Sequence, residues 1–279
     1  MKIAVTGANG YIGRHVVSRL IDLGHDVVAT DLVTDKIDSR AIVKTVDIFK
    51  DDNIFELLDS PEVCIHLAWK DGFIHNSDSH LKMLYDHYAF IKKMVDSGIK
   101  HLSVMGTMHE VGYFEGAIDE NTPTNPMSLY GIAKDTLRHA VFLLLRDTNV
   151  TLTWLRAFYI LGDDLNNNSI FSKIIAMDKE GKTSFPFVSG KNKYDFLEVD
   201  ALANQIALAS VQDDIQGIIN CCSGQPVSIG DKVSQFIETH HLSIKPEFGV
   251  FPEREYDSPA IWGDNTKIKA ILRNYENQK

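Results

Sequence analysis

Short apolar runs rich in β-branched residues alternate with amphipathic stretches through the first 160 residues of the chain. The runs KIAVTG, HDVVATD, AIVKTVD, VCIHLAW and HLSVMG predict strands, and TLTWLRAF predicts another strand after a long helix. Strands separated by helices are typical of βαβ units, whose strands lie parallel in one sheet with helices on both faces. The pattern therefore predicts an α/β fold with a doubly wound parallel sheet of the Rossmann type.

The stretch MSLYGIAKDTLRHAVFLLL, residues 127–145, predicts the long helix. Its apolar positions Leu137, Val141 and Leu144 repeat at three- and four-residue intervals, and Ser128 is a residue type that caps helix N-termini. The apolar stripe suits either the core of the domain or a contact with a second copy of the chain. Both alternatives stay open at this point.

The residue composition of the chain changes at about residue 160, where turn-forming residues become frequent. The segments GDDLNNNS, SGQPVS and FPEREYDSPAIWGDN are rich in residues that break helices and strands, and NKYDFLEVDALANQIALASV between them reads as a strand followed by a helix. We therefore expect a larger domain of residues 1–160 plus about 192–222. A smaller C-terminal lobe would comprise about 161–191 plus 223–279.

Composition and charge narrow the class of partner. The 279 residues are 44% hydrophobic and carry a formal charge of -10, which disfavours nucleic acid as a ligand. The sequence has neither an apolar run of transmembrane length nor a signal peptide, so we expect a cytoplasmic protein that does not associate with membranes. Cys64, Cys221 and Cys222 lack the spacing of a zinc site and are expected to be reduced, and we predict no metal.

A glycine-rich turn follows the first predicted strand. Gly7, Gly10 and Gly13 stand at the mouth of a helix, where glycines permit a tight turn and a close approach of the backbone to a pyrophosphate. Asp31 ends the second strand, where a carboxylate accepts hydrogen bonds from ribose hydroxyls and repels a 2'-phosphate. These residues favour NAD over NADP. The alternatives are turn glycines without a ligand and a simple strand-end aspartate.

Tyr130 and Lys134 lie one turn apart on the predicted long helix and therefore share a face. A phenol has a pKa near 10, and a nearby ammonium group favours the phenolate and lowers that pKa. The pair suits acid–base chemistry. The pattern by itself also describes a core-edge tyrosine beside a solvated lysine.

The combination of TGANGYIG, SVMGTMHEVG, YGIAK, LRAFYILG and YDFLEVDALA resembles the extended branch of the short-chain dehydrogenase/reductase superfamily, the NAD-dependent epimerase/dehydratase family. The resemblance covers nearly the whole chain. It implies that Tyr130 exchanges a proton with the substrate oxygen, that Lys134 binds the nicotinamide ribose, and that Thr107 hydrogen-bonds the reacting oxygen. It also implies that the smaller lobe binds the substrate.

The resemblance assigns two further sets of residues. Cofactor-binding residues, besides Tyr130 and Lys134, would be Gly7, Asn9, Gly10, Tyr11, Ile12, Gly13, Asp31, Asp47, Ile48, Leu67, Ala68 and Trp69. Substrate-binding residues would be Thr107, Met108, His109, Tyr159 and Arg254.

Departures from the family pattern narrow the reaction. Met108 and His109 stand where 4,6-dehydratases of the family carry Asp-Glu, and decarboxylases need a glutamate at the place of Met108. Glu110 would point to the other side if the strand continued. Tyr159 and Tyr194 replace a substrate-binding asparagine and an arginine. Dehydration and decarboxylation are therefore excluded, and the sugar pocket is expected to be unusual.

The expected activity is an NAD(P)-dependent oxidoreductase that reduces a 4-keto sugar linked to a nucleotide, in the synthesis of cell-surface polysaccharide or glycoside precursors. The alternatives are a nucleotide-sugar 4-epimerase, a reductase of a non-sugar ketone, and a non-catalytic, cofactor-binding regulator. The resemblance also implies a homodimer formed through the Tyr130 helix and the HLKMLYDHYAFIKKMV helix.

Overall fold

The computed structural model describes residues 1–162, 170–253 and 257–278. The strands are β1 (Lys2–Thr6), β2 (Asp26–Asp31), β3 (Ile42–Thr45), β4 (Val63–His66), β5 (His101–Thr107), β6 (Gly116–Ile118), β7 (Thr151–Ala157), β8 (Tyr159–Leu161), β9 (Ser184–Pro186), β10 (Lys193–Glu198), β11 (Gly217–Cys221), β12 (Pro226–Ser228), β13 (Lys245–Glu247) and β14 (Ala260–Gly263). The helices are α1 (Tyr11–Asp22), α2 (Ile54–Leu57), α3 (Ser79–Lys82), α4 (Leu84–Asp96), α5 (Leu129–Leu145), α6 (Ile170–Lys179), α7 (Val199–Ser210), α8 (Ile229–Thr239) and α9 (Thr266–Glu276).

The larger sheet has the order β11-β7-β5-β4-β1-β2-β3, and every pairing in it is parallel. Each of the six apolar runs identified in the sequence contains one of its strands, so the predicted doubly wound parallel sheet is confirmed. The strand order reverses between β1 and β4. In open α/β sheets this reversal opens a crevice beyond the carboxyl ends of the strands, where ligands bind.

Two apolar cores cover the two faces of this sheet. Along β1, Ile3 and Val5 pack on the face covered by α1, α7 and α9, whereas Ala4 between them packs on the face covered by α4 and α5. Leu137 and Val141 are fully buried in the second core, and Leu144 packs against it. The apolar stripe of α5 therefore belongs to the core of the domain.

The smaller lobe is built around a mixed sheet and an aromatic core. β12, β10, β14 and β6 form this sheet, and β8 pairs with β10. The core beneath it includes Phe171, Phe185 and Phe196. β10 thus pairs within the smaller sheet, while Ile268 and Ile271 of α9 pack against the larger one. The division into 1–160 plus about 192–222 and about 161–191 plus 223–279 stays a prediction.

Two further expectations from the sequence bear on the fold. Cys64, Cys221 and Cys222 are buried free thiols, and burial raises the pKa of Cys64 to about 12. Within the described ranges, no helix has the length and apolarity needed to span a bilayer.

The buried carboxylate of Asp195 ties the smaller sheet to the loop after β11. It accepts hydrogen bonds from the backbone amides of Ser223, Gly224 and Gly263 at 2.8, 2.8 and 3.2 Å, and from the Ser223 hydroxyl at 2.6 Å. Asp195 is fully buried, so water cannot replace it as the acceptor. One side chain therefore holds three segments that are distant in sequence.

Replacing Asp195 by Ala should lower the free energy of unfolding by about 3–5 kcal/mol, because one buried and two partly buried amides lose their acceptor. Urea unfolding followed by circular dichroism measures this change. Asp231→Ala, at an exposed position, is the control and should cost less than about 1 kcal/mol. Equal stability of the two variants would contradict this account of Asp195.

Candidate active site

The turn between β1 and α1 contains three glycines, and each position is glycine for its own structural reason. Gly7 has φ +68°, and a Cβ there would overlap the backbone of Ala68 at the end of β4. A Cβ on Gly13 would overlap the carbonyl of Gly7 beneath the first turn of α1. Gly10 is exposed, and a Cβ there would meet only the Gly7 oxygen, at 3.2 Å. Gly7 and Gly13 are required by packing, while Gly10 leaves the helix N-terminus open to an anion.

Two cavities meet at this turn, and both contain Gly7, Gly10, Leu67 and Trp69. The Asp31 cavity, about 480 Å³, is lined further by Thr30, Asp31, Leu32, Val46, Asp47, Ile48, Phe49, Ala68, Lys70, Met83 and His87. The Lys134 cavity, about 470 Å³, is lined further by Tyr11, Ile12, Gly13, Asp71, Gly72, Phe73, Ile74, Met105, Gly106, Thr107, His109, Tyr130, Lys134, Ala157, Phe158 and Ile160. Together they suit a two-part ligand that bridges the turn.

The rim of the Asp31 cavity is acidic. The carboxylate of Asp31 accepts hydrogen bonds from the amides of Asn9 and Leu32 at 3.0 and 2.8 Å, which fixes its position at the end of β2. The Asn9 side chain in turn bonds the Asp35 carboxylate at 3.0 Å and the amide of Lys36 at 2.8 Å. This rim suits a ribose diol and opposes an additional phosphate.

Tyr130 and Lys134 lie in the first two turns of α5, whose N-cap is Ser128 as the sequence predicts. Lys134 is buried, and its ammonium group donates to the Met105 carbonyl at 2.7 Å. The same Nζ lies 3.7 Å from the centre of the Trp69 ring, a favourable cation–π contact. Burial lowers the pKa of Lys134 to about 7.

The pKa of the Tyr130 phenol is shifted in the opposite direction to the one expected from the sequence. Burial raises the pKa of Tyr130 to about 12, and a hydrogen bond with the Thr107 side chain acts in the opposite direction. The expectation that the Lys134 ammonium lowers this pKa is wrong, because the pair lies in the cleft and the ammonium faces Met105 and Trp69. At neutral pH the phenol therefore keeps its proton.

Thr107 ends β5, and Met108–Glu110 continue as a turn of 3₁₀ helix. The strand thus ends before Glu110 and does not continue as the sequence prediction for Glu110 supposed. The Glu110 side chain turns into the protein interior. Its fully buried carboxylate accepts from the Thr107 amide at 2.8 Å and from Trp154 Nε1 at 2.9 Å. Thr107 and Glu110 form a capping box, and the Thr-x-x-Glu spacing in the sequence was the available signal.

Two arginines neutralise the Glu110 carboxylate. Arg156 on β7 donates to it at 3.3 Å, and Arg138 on α5 lies 3.5 Å away. Gly106 makes room for this arrangement, since a Cβ there would overlap the Trp154 indole and the Glu110 carboxylate. The end of β5 is therefore fixed from beneath by β7 and α5.

A third cavity, the Tyr159 cavity of about 580 Å³, opens beside Tyr130 and reaches the smaller lobe. Its lining residues are Phe73, His75, Asn76, Met108, His109, Gly112, Met127, Ser128, Tyr159, Tyr194, Asp257, Ser258 and Ile261. Tyr159 and Tyr194 pack with ring centres 4.5 Å apart. Arg254, a predicted substrate-binding residue, lies outside the described residues.

His75 in this cavity was missed by the sequence reasoning. The segment between β4 and α3 has no periodic pattern, and a lone histidine in a loop carries no signal of its position. In the structure, the His75 ring stacks against Tyr130 with a centroid distance of 5.5 Å and an interplanar angle of 15°.

Buried histidines support Trp69 from below. His66 bonds Thr6 at 2.8 Å and His87 at 2.9 Å, and His87 stacks on Trp69. Burial lowers the pKa of His66 from 6.5 to about 3 and the pKa of His87 further still. These imidazoles are uncharged at neutral pH and act as hydrogen-bonding parts of the core.

Comparisons with known proteins agree with this geometry. The model of the NAD dependent epimerase/dehydratase family matches residues 3–222. A dTDP-6-deoxy-L-talose 4-dehydrogenase (NAD(+)) from Aggregatibacter actinomycetemcomitans is 46% identical over 272 residues, which cover 94% of this chain and 99% of that protein.

Solved structures share the fold at low identity. A UDP-glucose 4-epimerase from Thermotoga maritima with UDP-glucose has a TM-score of 0.80 at 21% identity, covering 100% of this chain and 99% of that one. A UDP-glucuronic acid 4-epimerase from Bacillus cereus with UDP-glucuronic acid and NAD has a TM-score of 0.81 at 22% identity, covering 98% and 93%.

The free energy of unfolding should fall as the pH decreases from 6.5 to 5. In this window His66 and His87 take up protons in the unfolded chain but not in the folded chain. Each group therefore lowers the free energy of unfolding by up to about 1.4 kcal/mol per pH unit. Urea unfolding at several pH values measures the slope. His66→Asn should reduce it, and exposed His241→Asn should not. A flat wild-type profile would rule out the uncharged buried pair.

Glu110→Gln should lower the free energy of unfolding by about 3–5 kcal/mol, because the fully buried Arg156 loses its counter-charge, whereas Arg138 keeps Asp135 at 2.6 Å. Exposed Glu56→Gln is the matched control and should stay within about 0.5 kcal/mol of the wild type. Chemical denaturation of the two variants side by side gives the difference. A Glu110 variant as stable as its control would show that the network contributes nothing to the fold.

Proposed function

Because the chain belongs to the NAD dependent epimerase/dehydratase family, we propose that it is an NAD-dependent oxidoreductase acting at carbon 4 of a nucleotide-linked 6-deoxyhexose. Its net reaction is the reduction of a 4-keto sugar. The observation that carries the proposal is the placement of Thr107, Tyr130 and Lys134 in one cavity, which shares Phe73 and His109 with the Tyr159 cavity. The relative that is 46% identical over nearly the full length supports the choice of substrate class.

The residues around the glycine turn fit a dinucleotide. The open N-terminus of α1 at Gly10 would hold the pyrophosphate, and Asp31 would accept hydrogen bonds from the adenosine ribose. Asp47 and Ile48 would border the adenine, and Trp69 and Lys134 the nicotinamide half. When bound, NAD supplies the hydride donor or acceptor that the reaction needs. The acidic rim at Asp31 and Asp35 supports NAD over NADP.

The side chains of this cleft suit reduction in particular. Reducing a ketone to an alcohol needs a proton at the carbonyl oxygen, and the Tyr130 phenol, with its raised pKa, holds one at Oη near neutral pH. Thr107 would donate to the same oxygen as negative charge develops there. Lys134, whose ammonium group lies between the Met105 carbonyl and the Trp69 ring, would orient the nicotinamide ribose.

A 4-epimerase is the second candidate, because the solved structures with the same fold are sugar 4-epimerases. The reductase and the epimerase activities can be distinguished by their net consumption of the cofactor. A reductase consumes NADH in proportion to product, whereas an epimerase interconverts saturated sugars with no net consumption. Conversion of a non-sugar ketone alone would indicate the third alternative, and a protein that binds NAD without turnover would be a regulator.

The purified protein with NADH and dTDP-linked 4-keto-6-deoxyhexoses should show loss of the nicotinamide absorbance band and a new nucleotide sugar by mass spectrometry. Tyr130→Phe should lower kcat by about 10²–10⁴-fold, because the proton donor is lost, while NAD binding is kept. Tyr85→Phe, at a tyrosine that is 74% exposed, is the control and should retain full activity. Failure to turn over any of these sugars, with no epimer from saturated ones, would refute the proposal.

A further inference from the structure

The Tyr159 cavity contains two imidazoles beside Tyr130 whose nitrogens are not used by the fold. The rings of His75 and His109 meet edge to face with centroids 4.4 Å apart, and they lie 5.5 and 6.0 Å from the Tyr130 ring. Within the described ranges, neither imidazole forms a hydrogen bond to a protein group. Their nitrogens are therefore available to a ligand in the cavity.

His80 shows the contrast. It lies just as close to Tyr130, with ring centroids 5.3 Å apart. Its Nδ1 accepts from the Trp69 indole at 3.0 Å, and its Nε2 bonds the Ile74 carbonyl at 3.0 Å. Both nitrogens are thus used to hold the loop, so proximity to Tyr130 does not by itself leave an imidazole available.

The loop that carries His75 is fixed in place before any ligand arrives. The backbone carbonyl of His75 accepts from the Tyr130 amide at 2.9 Å, and Asn76 Oδ1 accepts from the Leu129 amide at 3.3 Å, so the loop fastens onto the N-terminus of α5. The Asp71 carboxylate closes the loop by accepting from the hydroxyls of Ser77 and Ser79 at 2.8 and 2.7 Å. Little ordering is left to be done when a ligand binds.

We propose that His75 and His109 form a subsite for uncharged sugar substituents next to the reacting carbon, and that this subsite selects nucleotide-linked neutral hexoses against hexuronates. The inference rests on the proposed function, since it assumes that the reacting carbon lies at Tyr130. Substituents on the two neighbouring carbons then face the two imidazoles.

The charge of the cavity supports this selection. Burial lowers the pKa of His109 to about 4 and also lowers the pKa of His75, so both rings are neutral near pH 7. A neutral imidazole matches the hydroxyl on carbon 3, which both donates and accepts, and tolerates the uncharged group on carbon 5. Among the described residues that line the cavity there is no Lys or Arg, and Asp257 adds a carboxylate. A hexuronate carboxylate would be desolvated against these described residues without a counter-ion from any of them, which is unfavourable.

The shared fold does not decide this point. The two solved neighbours, of nearly equal TM-score, were crystallised with UDP-glucose and with UDP-glucuronic acid. The choice between a neutral and an acidic sugar must therefore come from the residues that line the cavity.

Isothermal titration calorimetry in the presence of NAD tests the subsite, with dTDP, dTDP-glucose and dTDP-glucuronate as probes. We expect the wild type to bind dTDP-glucose at least about tenfold more tightly than dTDP-glucuronate. His75→Phe and His109→Phe keep the ring packing but lose the nitrogens. Each should weaken dTDP-glucose binding by about 3–10-fold and leave dTDP binding unchanged.

His75→Arg supplies a counter-ion that the described lining lacks and should shift the ratio of the two affinities at least about tenfold toward dTDP-glucuronate. Exposed His241→Asn is the control and should behave as the wild type. Unchanged dTDP binding by the variants shows that they fold. Equal wild-type affinities for the two sugars, or phenylalanine variants that bind dTDP-glucose as the wild type does, would overturn the proposal.

Because the assay measures binding, its result is separate from that of the activity assay. Selective binding of dTDP-glucose without turnover of any 4-keto sugar would refute the proposed reaction and support the subsite. Turnover of 4-keto sugars together with equal binding of glucuronate would do the reverse.

Discussion

The carboxylate of Glu110 is fully buried, and a buried charge is tolerated only when donors and counter-charges surround it. Its donors come from the end of β5, from two side chains of β7 and, through Arg138, from the helix that carries Tyr130. The requirement to pair one charge therefore fixes Thr107, β7 and α5 relative to one another. The relative positions of the Thr107 hydroxyl and the Tyr130 phenol, which both line the Lys134 cavity, therefore depend on this pairing.

Much of the fold was readable from the sequence, because alternating apolar runs and helical stretches are local patterns. The glycine turn was readable for the same reason, since its residues are close together and each has a backbone role. The direction of the Lys134 ammonium was not, because it depends on the Met105 carbonyl and on Trp69, 65 residues away in the chain. The raised pKa of Tyr130 likewise follows from burial, which only the folded chain determines.

The three cavities draw on different parts of the molecule. The carboxyl ends of β1, β2 and β4 form the Asp31 cavity, and these strands are held on both sides by the two apolar cores. The Tyr159 cavity combines the loop after β4 with the ends of the smaller sheet. Proteins that are only 21–22% identical to this chain share its fold.

The hydrogen bond from the Tyr130 amide to the His75 carbonyl has an evolutionary consequence. It joins the first turn of α5 to the loop that lines the sugar-sized cavity, so an insertion or deletion in that loop also displaces the phenol. Gene duplicates that acquire a new sugar would therefore change by point substitution within a loop of constant length. The length of the segment between β4 and α3 should accordingly vary less among descendants of this chain than the identity of its residues.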